Sequence, residues 1–174
     1  TSYHALYSDD ALVPAGSLRD IPSSAERAEI IVVTKCPETL SAASRDQVIR
    51  KLKLLPHQSV FFTSLTYSAP QHVFTGKNVQ PSGGDAVLLI SGIAQPEPLI
   101  QFVHKQYQQV DWMQFPDHHI FNMDDLQNIR TRFNKIQSDQ KIVLTTEKDG
   151  VRLEKFANEL TGFPVYVLPV RHTF

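Results

Sequence analysis

Residues 85–115, DAVLLISGIAQPEPLIQFVHKQYQQVDWMQF, carry the pattern from which the rest of the chain can be read. Ala86 to Ser91 is an apolar run of strand length. Glu97 to Gln109 places Leu99, Ile100, Val103 and Tyr107 at helical spacing, and Val110 to Phe115 is again strand-like. Strand, amphipathic helix, strand is the unit from which parallel sheets are built. The same alternation extends outward in both directions. Ile30 to Thr34, Ser59 to Leu65, Lys141 to Thr146 and Val165 to Val170 read as further strands. Arg45 to Leu55 shows Val48, Ile49, Leu52 and Leu55 on one helical face. Met123 to Gln137 shows Leu126, Ile129, Phe133 and Ile136, with Asn122 as N-cap and Asp125 three residues on. Asp149 to Leu160 reads as a last helix stopped by Gly162 and Pro164. The expectation is an α/β fold with a mainly parallel sheet of about six strands. The polar, Pro- and Gly-containing segment from Tyr67 to Gly84 breaks the pattern and reads as a long excursion or small hairpin, in which Gly83-Gly84 is only a turn.

Composition narrows the function classes. A chain of 174 residues with 41% hydrophobic and 20% charged residues suits one globular unit with a substantial core. Its 17 Lys and Arg balance 18 Asp and Glu, leaving no basic surplus with which to grip a polyanion, so nucleic acid is not expected as a partner. Cys36 is the only cysteine, which removes an intramolecular disulfide and a multi-cysteine metal site and suits a reducing compartment. No apolar stretch approaches the roughly 20 residues of a membrane span. The opening run TSYHALYSDD lacks signal-peptide character and reads as the interior of a protein, so Thr1 is expected to be a boundary within a longer chain.

In open α/β sheets ligands gather at the carboxyl ends of the strands. Polar residues crowd that edge: Thr34 and Lys35, Ser91 and Gly92, Asp117 with His118 and His119, and the run Thr145, Thr146, Glu147, Lys148, Asp149. Ser, Thr and Asp are also what begins a helix, so each equally suits a cap or turn. Asp117 beside His118 could fix an imidazole tautomer or tune a proton acceptor. Glu147, Lys148 and Asp149 could hold a polar ligand or stabilise a helix start. His4, His57, His72, His104 and His172 are scattered without metal-ligand spacing, and no metal site is expected in this chain. There is no G-x-x-x-x-G-K-[ST], no G-x-G-x-x-G and no G-x-S-x-G, so the chain is not expected to do chemistry alone.

Five motifs then occur in a recognisable order. DALVPAGSLRD (10–20) resembles L-P-A-G-P-L-R-E, and AEIIVVTK (28–35) resembles the strand after it. ISGIAQP (90–96) resembles A-G-I-A-x-P, FPDHH (115–119) resembles F-x-D-H, and LTTEKDGVR (144–152) resembles M-T-E-K-D-A-V-K. Together they resemble the C-terminal half of the lipid A 4'-kinase family. That resemblance implies a three-layer α/β/α, P-loop-kinase-related C-terminal domain over residues 1–174, with 67–84 as the hinge. It also implies a partner N-terminal P-loop domain that binds most of ATP and magnesium. The implied substrate is an acylated disaccharide lipid, met at the cytoplasmic face of the bacterial inner membrane by the intact protein. His118 matches the family's active-site histidine and Asp117 its orienting neighbour. Arg19 and Asp20 match an Arg-Glu pair near the reacting phosphates, and Glu147, Lys148 and Asp149, which fall in the last motif, are expected here as candidate substrate- or phosphate-binding residues. Asp20 for Glu, Ser17 for Pro and Gly150 for Ala are departures. The rival reading is a stand-alone α/β module binding a nucleotide or sugar phosphate without catalysis.

Overall fold

The computed structural model describes residues 1–78 and 85–174, so the end of the 67–84 excursion, including Gly83-Gly84, lies outside the described residues. The chain divides into two compact units, Thr1–Thr66 with Arg171–Phe174, and Tyr67–Val170.

The first unit is built on β1 (Ile30–Cys36), α1 (Ala42–Leu52) and β2 (Ser59–Tyr67), with β1 and β2 parallel in the register Ile30 to Ser59 through Val33 to Phe62. The opening residues run beside β1: the Thr1 ammonium donates to the Val32 carbonyl at 3.1 Å and Tyr3 N–H to Thr34 at 2.8 Å. Alternation on β1 turns Ile31 and Val33 inward, where they pack with Leu6, Cys36, Val48 and Leu52. Ser41 caps α1 by accepting the Ser44 N–H at 3.1 Å.

The second unit holds β3 (Gln71–His72), β4 (Ala86–Ser91), α2 (Glu97–Gln106), β5 (Gln109–Gln114), α3 (Met123–Lys135), β6 (Lys141–Thr146), α4 (Glu147–Leu153) and β7 (Val165–Leu168). Its sheet runs β3-β7-β6-β4-β5, parallel except for β3. Every residue of β4 is buried because both faces are covered. Leu88 and Ile90 pack with Leu126, Ile129 and Phe133 of α3 and Leu153 of α4, while Val87 and Leu89 pack with Leu99 and Val103 of α2. This unit is therefore three layers deep.

The single sheet of about six strands is corrected to two, of three and five strands. All six predicted strands form, but Val165 to Val170 does not run as one. Pro169, with no N–H to give to a ladder, separates β7 from β8 (Val170–Thr173), and the two join different sheets. In the first unit the order is β1-β2-β8, with Thr63 bonding His172 at 3.0 Å. The last helix is also shorter than its apolar spacing indicated, giving way at Glu154 to a 3-10 turn.

Lys53, just past α1, adopts a left-handed φ of 51°, a conformation that costs a side-chain-bearing residue about 1–2 kcal/mol and glycine almost nothing. Lys53 is exposed, so no packing is lost on its removal. After allowance for the greater freedom of glycine in the unfolded chain, Lys53→Gly should stabilise the first unit by about 0.5–1 kcal/mol in urea unfolding. A loss of stability would mean that the Lys53 side chain contributes more than its backbone costs.

Candidate active site

Because β4, β5 and β6 are parallel, their carboxyl ends open on one edge, and the residues that follow them meet there. The meeting point is the Asp149 carboxylate, with 0% of its side chain exposed. A charge so placed must be compensated within the protein. Oδ2 accepts the Gly92 N–H at 2.8 Å and the Thr146 hydroxyl at 2.9 Å, and Oδ1 accepts from Arg152 Nη1 at 2.8 Å. Thr146 Oγ1 in turn accepts the Asp149 N–H at 3.0 Å and caps α4. A Cβ on residue 92 would lie 3.0 Å from the Pro116 carbonyl, so the close approach of the β4 turn to the loop after β5 favours glycine.

His118 follows β5 with φ of 60°, in the left-handed region that a non-glycine residue rarely adopts. That turn sends adjacent histidines opposite ways. His119 stacks on Phe115 at 4.7 Å between ring centroids, meets Phe121 edge-on, and places Nε2 2.8 Å from Asp125 Oδ2. Asp125 also accepts the Asn122 N–H, in the capping box of α3. His119 is thus a structural residue. The His118 side chain is 73% exposed, with Nδ1 3.3 Å from Arg152 Nη2 and Nε2 3.4 Å from Lys148 Nζ. Asp117 accepts the His118 N–H at 3.0 Å and Lys148 Nζ at 3.3 Å, while its Oδ2 stands 3.7 Å from Nε2, beyond hydrogen-bond reach. Desolvation works to raise the Asp117 pKa. The Lys148 hydrogen bond, the His118 and Lys148 charges and the His118 N–H outweigh it and hold the carboxyl below its ordinary value.

The structure therefore brings together Asp117, His118, Lys148 and Asp149 of the residues expected at a site. Asp149, enclosed and fully bonded, positions its neighbours and offers no face to a ligand. Glu147 begins α4 and accepts the Val170 N–H at 3.2 Å. Arg19 and Asp20 belong to the first unit. There Asp20 accepts the Ile21 N–H at 2.8 Å at the head of a 3-10 turn over Pro22–Arg27 and stands 3.7 Å from Arg27. The Ser24 hydroxyl, then the Ile21 N–H, lower its pKa. Asp10 accepts the Ser17 hydroxyl and, at 3.1 Å, the Ser17 N–H, two bonds that a proline at 17 would forgo. Among the described residues no group of three or more His, Cys, Asp or Glu could hold a metal ion. Arg152 is the site residue that sequence reasoning missed. Its signal was the spacing from Asp149 and Lys148, three and four residues on, which makes Arg152 a helical neighbour of both.

Comparison with known proteins gives a consistent result. A family model described as tetraacyldisaccharide-1-P 4'-kinase matches residues 3–174. The tetraacyldisaccharide 4'-kinase of Bacteroides thetaiotaomicron is 35% identical over 184 residues, covering 98% of this chain and 48% of that protein. The same-named protein of Flavobacterium johnsoniae is 38% identical over 180 residues, covering 100% of this chain and 48% of its own length. The chain thus spans about half the length of the curated relatives it matches. A crystal structure of LpxK from Aquifex aeolicus, solved in complex with ATP, superimposes with a TM-score of 0.56 at 20% identity, over 95% of this chain and 45% of that one.

Gly150, which departs from the alanine of the motif, is buried, and a Cβ there would collide with Cγ1 of Val167 on β7. Valine is stiff at χ1, so α4 or β7 would have to move. Gly150→Ala, although alanine is the better helix former, is therefore expected to destabilise the second unit by about 1–3 kcal/mol in urea unfolding, and Gly150→Ala with Val167→Ala to recover most of the loss. A stabilised single variant would show that the contact yields freely.

Proposed function

The chain belongs to the tetraacyldisaccharide-1-P 4'-kinase family, and on that premise we propose that the intact protein transfers a phosphoryl group from ATP to the 4'-hydroxyl of tetraacyldisaccharide 1-phosphate, a step of lipid A biosynthesis. Residues 1–174 supply His118 and part of the substrate cleft. The observation that carries this reading is the outward-facing His118, held in a left-handed turn at the carboxyl ends of parallel strands and flanked by two cations.

Phosphoryl transfer asks a protein for in-line positioning and for charge opposite the transferring oxygens, with little covalent help. His118, Lys148 and Arg152 suit both tasks. In this reading an aspartate of the other half of the protein takes the 4'-hydroxyl proton, and His118 works with it to orient the reacting groups. The triphosphate and magnesium are held mainly by that half too. Residues 1–174 contain no G-x-x-x-x-G-K-[ST] phosphate-binding loop. By themselves they are expected to be inactive. No helix among the described residues is long and apolar enough to cross a membrane. In this reading the intact protein meets its lipid substrate at the cytoplasmic face of the inner membrane.

In the intact enzyme His118→Ala should lower kcat by roughly 100-fold or more with little change in thermal stability, since the side chain is exposed. An undiminished rate would remove His118 from the reaction. The reading frame upstream of residue 1 should encode a strand followed by G-x-x-x-x-G-K-[ST], with an Asp-Asp pair shortly before Thr1. A start codon a few residues upstream would favour the stand-alone binding module.

A further inference from the structure

Both ring nitrogens of His118 face groups that only donate. Arg152 Nη2 is 3.3 Å from Nδ1 and Lys148 Nζ is 3.4 Å from Nε2. A neutral imidazole has one acceptor nitrogen, so only one of these approaches is a hydrogen bond. Arg152 is the more constrained partner. Its Nη1 is fastened to the buried Asp149 carboxylate at 2.8 Å, and the planar guanidinium then carries Nη2 to Nδ1. Lys148 sits on a flexible stem and has a second acceptor in Asp117. Arg152 therefore takes the lone pair of Nδ1, which leaves the proton on Nε2.

That assignment places two donors, Nε2–H and Lys148 Nζ, side by side on the exposed flank of His118. Among the described residues the acceptor nearest them is Asp117, 3.3 Å from Nζ and, beyond hydrogen-bond reach, 3.7 Å from Nε2, whereas charge-assisted bonds settle near 2.7–2.9 Å. The Arg152 to Asp149 bond just behind them has that shorter length. Lys148 Nζ is thus only loosely engaged by the Asp117 carboxylate, and Nε2–H is left without a hydrogen-bond acceptor among the described residues.

We propose that Lys148 Nζ and the Nε2–H of His118 together receive a phosphoryl oxygen, with Arg152 as the positioning residue that fixes the tautomer. The proposal rests on the kinase reading for the identity of the ligand, a phosphate of the nucleotide or of the phosphorylated sugar, and on the geometry alone for the donor pair.

The test is long-range proton–nitrogen correlation on 15N-histidine-labelled protein at pH 8, where an ordinary imidazole is neutral. His118 should show an unprotonated Nδ1 and a protonated Nε2. Inorganic phosphate should shift its ring signals saturably, and Lys148→Met should weaken that effect roughly tenfold, as expected for one lost charge-assisted bond. Arg152→Lys, which keeps a cation for Asp149, should give a mixture of tautomers, with the Asp125-bound His119 signal reporting that the fold persists. Parallel titrations with ATP and with glucosamine 1-phosphate identify which phosphate the site prefers. An Nδ1-protonated ring in the free protein, ring signals unmoved by all three ligands, or a Lys148→Met response equal to that of the unaltered protein would each overturn the proposal. A phosphate-responsive His118 in an intact enzyme whose turnover survives His118→Ala would leave the donor pair standing and remove the kinase role.

Discussion

A carboxylate with no exposed surface is among the most demanding groups a fold can enclose, and Asp149 is the constraint on which the working edge of the second unit depends. Leaving such a charge unpaired costs several kcal/mol, so every donor around it is held in place by necessity. Gly92 is drawn in from the end of β4, Thr146 from the end of β6, and Arg152 from the next turn of α4. One side chain thereby ties two strand ends to a helix of only seven residues. Replacing a buried ion pair by apolar groups is often neutral for stability, so the value of this one lies in where it leaves the far end of Arg152.

That far end reaches His118. The chain of contacts from Asp149 through Arg152 to Nδ1 passes from the buried interior to an exposed ring, carried on a left-handed backbone at residue 118. Its neighbour shows the alternative. His119 lies between Phe115 and Phe121 and spends its polar end on the cap of α3. Two histidines adjacent in sequence thus serve fold and site separately, and a strained backbone angle of the kind that persists at functional positions divides them.

The departures from the family pattern have local explanations of the same sort. Ser17 closes the 10–20 loop through Asp10 with bonds proline cannot make, and Gly150 clears Val167 so that α4 can lie against β7. Asp20, one methylene shorter than Glu, is engaged with Ile21, Ser24 and Arg27 at the head of a turn. The substitutions fit the surroundings in which they are found, and they show how an alternative residue is accommodated by what lies beside it.

Much of the architecture was legible in the sequence by itself, because strand and helix are set by periodicities within a dozen residues. The six strand runs, the apolar faces of α1, α2 and α3, the Asn122 cap and the placement of polar residues after the strands all rest on local spacing. The order of five short motifs carried the family. Tertiary structure decided the rest. The allocation of strands to two sheets, the burial of Asp149, the inward turn of His119 and the approach of Arg152 to His118 depend on residues far apart in the chain. Gly92 and Asp149 are separated by 57 positions, and His118 and Arg152 by 34. Spacing reports which face of an element a residue occupies, but which partner that face meets is settled only when the elements pack, and the chemistry of a carboxylate or an imidazole is set by that partner.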